Sequence, residues 1–179
     1  MPYFTHGETK FKLIILYILE QAGTLLTADQ LYRTAILNSE MDYFTFQSVT
    51  NELEEDGFMT AVRKPYGECY GITDYGREAL DMFDKTVPAD ERKKLDAYLE
   101  DNRSAFLRET QLSSRIEKHP NGTVTLHLVL TEHDHAFFSI ALDTPSEEQA
   151  IEMRSHWEES SEPIYNFVWD ALLKQPERE

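Results

Sequence analysis

Apolar residues recur at three- and four-residue spacing near the start of the chain. Phe11, Ile14, Ile15, Ile18 and Leu19 predict a helix over 8–22 that Gly23 ends. A short helix follows in Thr27-Ala28-Asp29-Gln30-Leu31-Tyr32-Arg33, where Thr27 can cap the first turn and Gln30 can reach back to it. The next helix is expected from Asp42 to Leu53, running into Asp56-Gly57, whose glycine supplies the left-handed residue that stops a helix. Two β-rich runs, Met59–Arg63 and Glu68–Ile72, then flank the tight turn Lys64-Pro65-Tyr66-Gly67. The closing stretch from Ile72 to Leu80 carries a capping Thr73 and a Gly76 that would let a helix lie close to its neighbour.

The pattern breaks at Asp84-Lys85-Thr86-Val87-Pro88, and Pro88 suits the first turn of a long helix from Ala89 to about Thr110. Its apolar stripe is sparse: Leu95, Leu99, Phe106 and Leu107. The period then changes to two. Val124, Leu126, Leu128 and Leu130 alternate with Thr123, Thr125, His127 and Thr131, a half-buried strand. Asn121-Gly122 is a strong hairpin signal, so strands near 113–118, 123–131 and 135–142 form an antiparallel meander. A helical region from Pro145 closes the chain, with an interruption expected at Ser160-Ser161-Glu162 before Pro163.

These elements give an α+β chain: an N-terminal winged helix-turn-helix over residues 1–85, then an α-β-β-β-α domain over 86–179 with a three-stranded antiparallel sheet. The hairpin around Lys64–Gly67 is the wing. No internal repeat or low-complexity tract is present.

The chain has 179 residues, 41% of them apolar, enough for real cores. The longest apolar run, Leu13 to Leu19, falls far short of the roughly 20 residues a bilayer needs. The amino terminus lacks a basic region and a small-residue cleavage site, and Cys69 is the single cysteine, so a cytoplasmic protein is expected. Charge changes the picture. The net charge is −16, shared by both halves: 7 basic against 14 acidic residues in 1–85, and 10 against 19 in the remainder. DNA is itself a polyanion, and a DNA-binding surface needs cations to displace its counterions. Here the cations form only a patch: Arg63 and Lys64 at the wing tip, Lys10 and Lys12 on the first helix, Arg33 on the second.

The segments Leu16-Tyr17-Ile18-Leu19, Leu26-Thr27, Asp42-Tyr43-Phe44, Glu52–Gly57, Ile72–Gly76, Trp157 and Pro163-Ile164-Tyr165 resemble a family of uncharacterised winged-helix proteins of Gram-positive bacteria. More distantly, the amino-terminal half is similar to PadR-like and MarR-like repressors. The resemblance implies transcriptional regulation, with the second helix of the pair in the major groove and the wing on adjacent backbone. One departure stands out: no Lys or Arg occurs from Asp42 to Asp56, while Glu52, Glu54, Glu55 and Asp56 do.

At 100° per residue, Phe46, Val49 and Leu53 share an inward face, leaving Phe44, Gln47, Ser48 and Asn51 on or beside the outer one. Gln and Asn can pair bidentately with adenine, and Ser suits any base. Candidate DNA-binding residues are therefore Thr27, Tyr43, Phe44, Gln47, Ser48, Asn51, Arg63, Lys64 and Tyr66. Thr27 enters as a helix-start anion site, although a plain N-cap explains it as well. His127, His133 and His135 with Asp134 cluster at one hairpin, but their spacing fits a solvated turn better than a metal site. Neither metal nor cofactor is expected, and no catalytic motif is present. The aromatic carboxyl end, Trp157 to Leu173, suits both sheet cover and a subunit interface.

The expected function is a non-enzymatic winged-helix regulator that binds double-stranded DNA as a homodimer. A protein partner or small-molecule effector is expected at the carboxyl-terminal domain. The alternative is a protein-interaction module on the same scaffold that does not bind DNA tightly.

Overall fold

In a computed structural model that describes residues 8–64 and 66–173, the elements run as follows. The first are α1 (Thr9–Ala22), β1 (Leu26–Thr27), α2 (Ala28–Asn38), α3 (Tyr43–Glu55), β2 (Met59–Lys64), β3 (Gly67–Ile72) and α4 (Asp74–Met82). After a 3-10 turn at Asp84–Thr86 come α5 (Ala89–Gln111), β4 (Leu112–Lys118), β5 (Val124–Glu132), β6 (His135–Thr144), α6 (Glu147–Ser155) and α7 (Trp157–Leu173). The described residues thus form an α+β architecture of seven α-helices and two three-stranded antiparallel sheets, ordered β1-β3-β2 and β4-β5-β6.

α1 is buried nearly all round. Leu13, Ile14, Ile15, Leu16, Ile18 and Leu19 lose almost all solvent contact, which explains why its apolar run is continuous instead of one stripe. α2, α3, α4 and β3 all pack on it. Gly23 ends α1 at φ +64°, a left-handed residue without Cβ penalty. Thr27 then serves two elements. It pairs with Cys69 in the register of β1 on β3, and it caps α2 in a reciprocal box with Gln30. The Thr27 hydroxyl accepts from the Gln30 amide at 3.2 Å, while the Thr27 amide donates to Gln30 Oε1 at 3.1 Å. β1 has only two residues and was not expected from the sequence.

Thr73 ties α4 to the end of α3. Its hydroxyl accepts from the Gly76 amide and donates to the Gly57 carbonyl at 2.7 Å. Gly76 is needed at the close approach: a Cβ there would run into the Phe58 carbonyl oxygen and the Ile72 side chain. Phe58 in turn stacks on Tyr75 with centroids 4.5 Å apart.

Leu95, Leu99 and Phe106 of α5 belong to this same core, and Gln30 Nε2 donates to the Phe106 carbonyl at 3.0 Å. Leu107, expected in the stripe, is instead 55% exposed. The two compact units accordingly divide between Phe106 and Leu107, not at 85/86 as drawn from the sequence. The proline-marked break starts a helix that still packs on the first core.

In the second unit β5 is central; its leucine row is buried as the sequence suggests, but Thr125 and Thr131, expected on the open side, are buried as well. Val124, Leu126, Leu128 and Leu130 bury against Ala150 and Trp157, with Leu112, Ile116, Phe138, Ile164 and Tyr165 around them. β5 and β6 meet through a two-residue turn, His133 and Asp134, both with positive φ, beside a register shift at Leu130/Thr131. The helical interruption falls at His156, not at Ser160–Glu162, and Pro163 lies inside α7. Pro163 and Glu159 are both exposed, so the backbone bond that proline forgoes lies on the solvent side.

Candidate nucleic-acid interface

Asp42 starts the site. Its carboxylate accepts from the Thr45 amide at 2.8 Å, and that hydrogen bond holds its pKa below the ordinary value. α3 then follows the expected helical division. Phe46, Val49, Thr50 and Leu53 are buried, while Tyr43, Phe44, Gln47, Ser48 and Asn51 are exposed. Phe44 is 81% exposed, an extreme value for a phenyl ring. Tyr43 joins it to the body of the protein, packing edge-on against Phe44 at 5.8 Å and against Tyr32 at 5.7 Å. Tyr32 rests on Phe46 at 5.1 Å. Leu37, at the end of α2, is also exposed.

The acids of α3 separate into two sets. Glu52 reaches Lys12 of α1 at 2.5 Å and accepts from Ser48 Oγ at 3.1 Å. Lys12 is buried, and its hydrogen bond holds the Glu52 carboxyl below the usual carboxylate range. Glu54 and Glu55 remain exposed on the last turn. No sequence signal links Lys12 to Glu52, because the contact is made between two helices far apart in the chain.

The hairpin carries the other group. Arg63 pairs with Glu68 in register and Lys64 with Gly67, so Arg63, Lys64 and Tyr66 sit at the tip. Arg63 and Glu68 are both exposed; Lys64 and Tyr66 are partly covered. Glu68 accepts from the Tyr70 hydroxyl at 2.9 Å, and burial with that carboxylate pushes the phenol up to about 12.

The remaining cations of the expected patch are engaged inside the unit. Lys10 pairs with Glu91 at 2.5 Å, and Arg33 pairs with Asp29 and lies over the Phe106 ring at 5.6 Å. The patch that the sequence suggested over Lys10, Lys12 and Arg33 is thus neutralised locally. Thr27 serves internally as a cap, as described.

In the second unit, the sheet face opposite the leucine row holds a polar chain. Arg115 donates to Glu117 at 3.1 Å, and the His127 ring meets the same carboxylate at 2.9 Å. The Thr125 hydroxyl bonds Asp143 at 2.7 Å and the His119 ring at 2.8 Å. His127, chiefly through its hydrogen bond, lowers the Glu117 pKa. An open cleft of about 410 Å³ lies between Arg108, Leu112, Glu158, Glu162 and Asn166, crossed by the 3.0 Å Arg108–Glu158 ion pair. Among the described residues no group of three or more His, Cys, Asp or Glu could hold a metal ion, and no helix is long and apolar enough to cross a membrane.

No curated protein and no solved structure matches the chain. Residues 11–172 match the family described as a domain of unknown function, DUF4364, and the chain belongs to that family.

Proposed function

We propose that the protein is a cytoplasmic transcriptional regulator that binds double-stranded DNA. Its first unit acts as a winged helix-turn-helix, with α3 as the recognition helix and β2–β3 as the wing. The element order supports this: three helices followed by a hairpin, with β1 added to the hairpin edge. The observation that carries the reading is the outward face of α3. A helix capped by Asp42 holds Tyr43, Phe44, Gln47, Ser48 and Asn51 toward solvent, and the hairpin that follows it in the chain is tipped by Arg63, Lys64 and Tyr66. Thr27 supports this unit as the cap of α2, its hydroxyl and amide both engaged with Gln30. The second unit is proposed to join two copies and to hold a small-molecule effector or a protein partner. The reading is of a binding protein, without catalysis.

The test is a titration of duplex DNA from the protein's own promoter region across a salt series. The cations assigned to the contact surface are only Arg63 and Lys64, so binding should be weak and its salt slope shallow. Arg63→Ala with Lys64→Ala should reduce that slope by about 2, since each lost phosphate contact removes roughly 0.9. An unchanged slope excludes the hairpin tip as the contact.

Specific observations favour a second reading, a protein-interaction module. Tyr43 and Phe44 pack together in the open and Leu37 is exposed as well, while Lys10, Lys12 and Arg33 are occupied by acids. Absence of binding to any duplex at low ionic strength, with the protein folded, selects this alternative.

A further inference from the structure

The exposed side of α3 offers a restricted chemistry toward base pairs. It has no Lys or Arg, and so lacks the bidentate donor to guanine O6 and N7 that is the commonest specific contact in the major groove. In that place stand two amides and one ring: Gln47 and Asn51, one turn apart, and Phe44 a turn earlier. A carboxamide presents one acceptor and a donor side by side, the complement of the adenine N6 donor and N7 acceptor. A phenyl ring offers nothing to guanine O6 or cytosine N4 and would leave them desolvated, whereas it meets the thymine methyl favourably. Glu52, which could accept from cytosine N4, is engaged with Lys12 and Ser48. Glu54 and Glu55 sit on the last turn, beyond the amides.

We infer that α3 selects an A·T base-pair core, Gln47 and Asn51 each reading an adenine and Phe44 a thymine methyl. This rests on the DNA-binding reading proposed above. The two amides are about 6 Å apart along the helix axis, close to two base-pair steps, so the adenines are expected in one groove with a single base pair between them.

The experiment is selection by the full-length chain from duplexes with a randomised core two helical turns long, at low salt, followed by sequencing. The expected pool is enriched in A·T pairs with two adenine positions. Asn51→Ala should lower the preference at one of them by roughly 5- to 150-fold, the worth of one bidentate pair. Gln47→Arg should turn the other into guanine. A pool that is retained but shows no A·T enrichment, or that neither variant alters, overturns the inference and leaves DNA binding standing. Retention of no duplex at all removes the DNA-binding reading, and the inference falls with it.

Discussion

Lys12 shows how a single residue can reverse its expected role. On the first helix it reads as a surface cation ready for phosphate, yet it is buried with Glu52 beside it. Removing one partner of a buried pair strands the other charge, at about 3–5 kcal/mol when both are fully enclosed. The Glu52 side chain is 38% exposed, so solvent screens it and Glu52→Gln should cost about 1–2 kcal/mol in urea unfolding. Lys12→Met should cost less, because no buried charge is left behind. The sign with pH follows from the lowered Glu52 pKa. The pair stabilises above the ordinary value of 4.5, and its contribution is lost as pH falls through the folded value. Wild-type stability should therefore drop more steeply below pH 4.5 than that of Glu52→Gln. Equal slopes would exclude the pair as a source of stability. Gly76 was readable in advance, since a glycine inside a capped first turn signals close approach. Gly76→Ala should cost more than about 3 kcal/mol, as the neighbour in the way is backbone and cannot yield. Local signals of this kind, including the Thr27–Gln30 box and the Asp42 cap, span three or four residues and are visible in one dimension. The Lys12–Glu52 pair spans forty positions and is not.

At the scale of elements, long periodic segments were legible and short or continuous ones were not. α3 and β5 announce their inward faces by spacing alone. β1, with two residues, has no period to detect and exists because Leu26 and Thr27 lie against Tyr70 and Cys69. α7 runs through Pro163 because that turn faces water, a fact of placement that composition does not carry. The outward face of α3 was legible as a helical wheel, whereas its acids were not divisible into paired and exposed. Glu54 and Glu55, at the exposed end, should repel phosphate if α3 enters a groove. Glu54→Gln with Glu55→Gln is expected to tighten duplex binding a few-fold at low salt, about 1 kcal/mol or less per charge. Unchanged affinity would mean that this end of α3 lies away from the backbone.

For the whole molecule the dominant facts are a net charge of −16 and apolar surface left uncovered on α7. Phe167 is 73% exposed, Leu172 81% and Leu173 68%, with Trp169 alongside. Exposed apolar groups clustered at one helix end mark an association site more often than a solvated one. Light scattering should give twice the 20.9 kDa chain mass at tens of micromolar, and Trp169→Ser with Leu172→Ser should return it to one chain. A single-chain mass for the unaltered protein would remove the homodimer.

Thr27 is the last residue of a strand and the cap of a helix at once, so the hairpin sheet and α2 share one fastening. Opening of one is expected to loosen the other. Peeling β1 from β3 would also release the first turn of α2, and uncapping α2 would loosen the strand. Amide protons at Cys69, in β3, and at Gln30, in the first turn of α2, should therefore exchange with deuterium at one common rate set by a single opening event. Thr27→Val, which keeps the strand and loses the cap, should quicken both together.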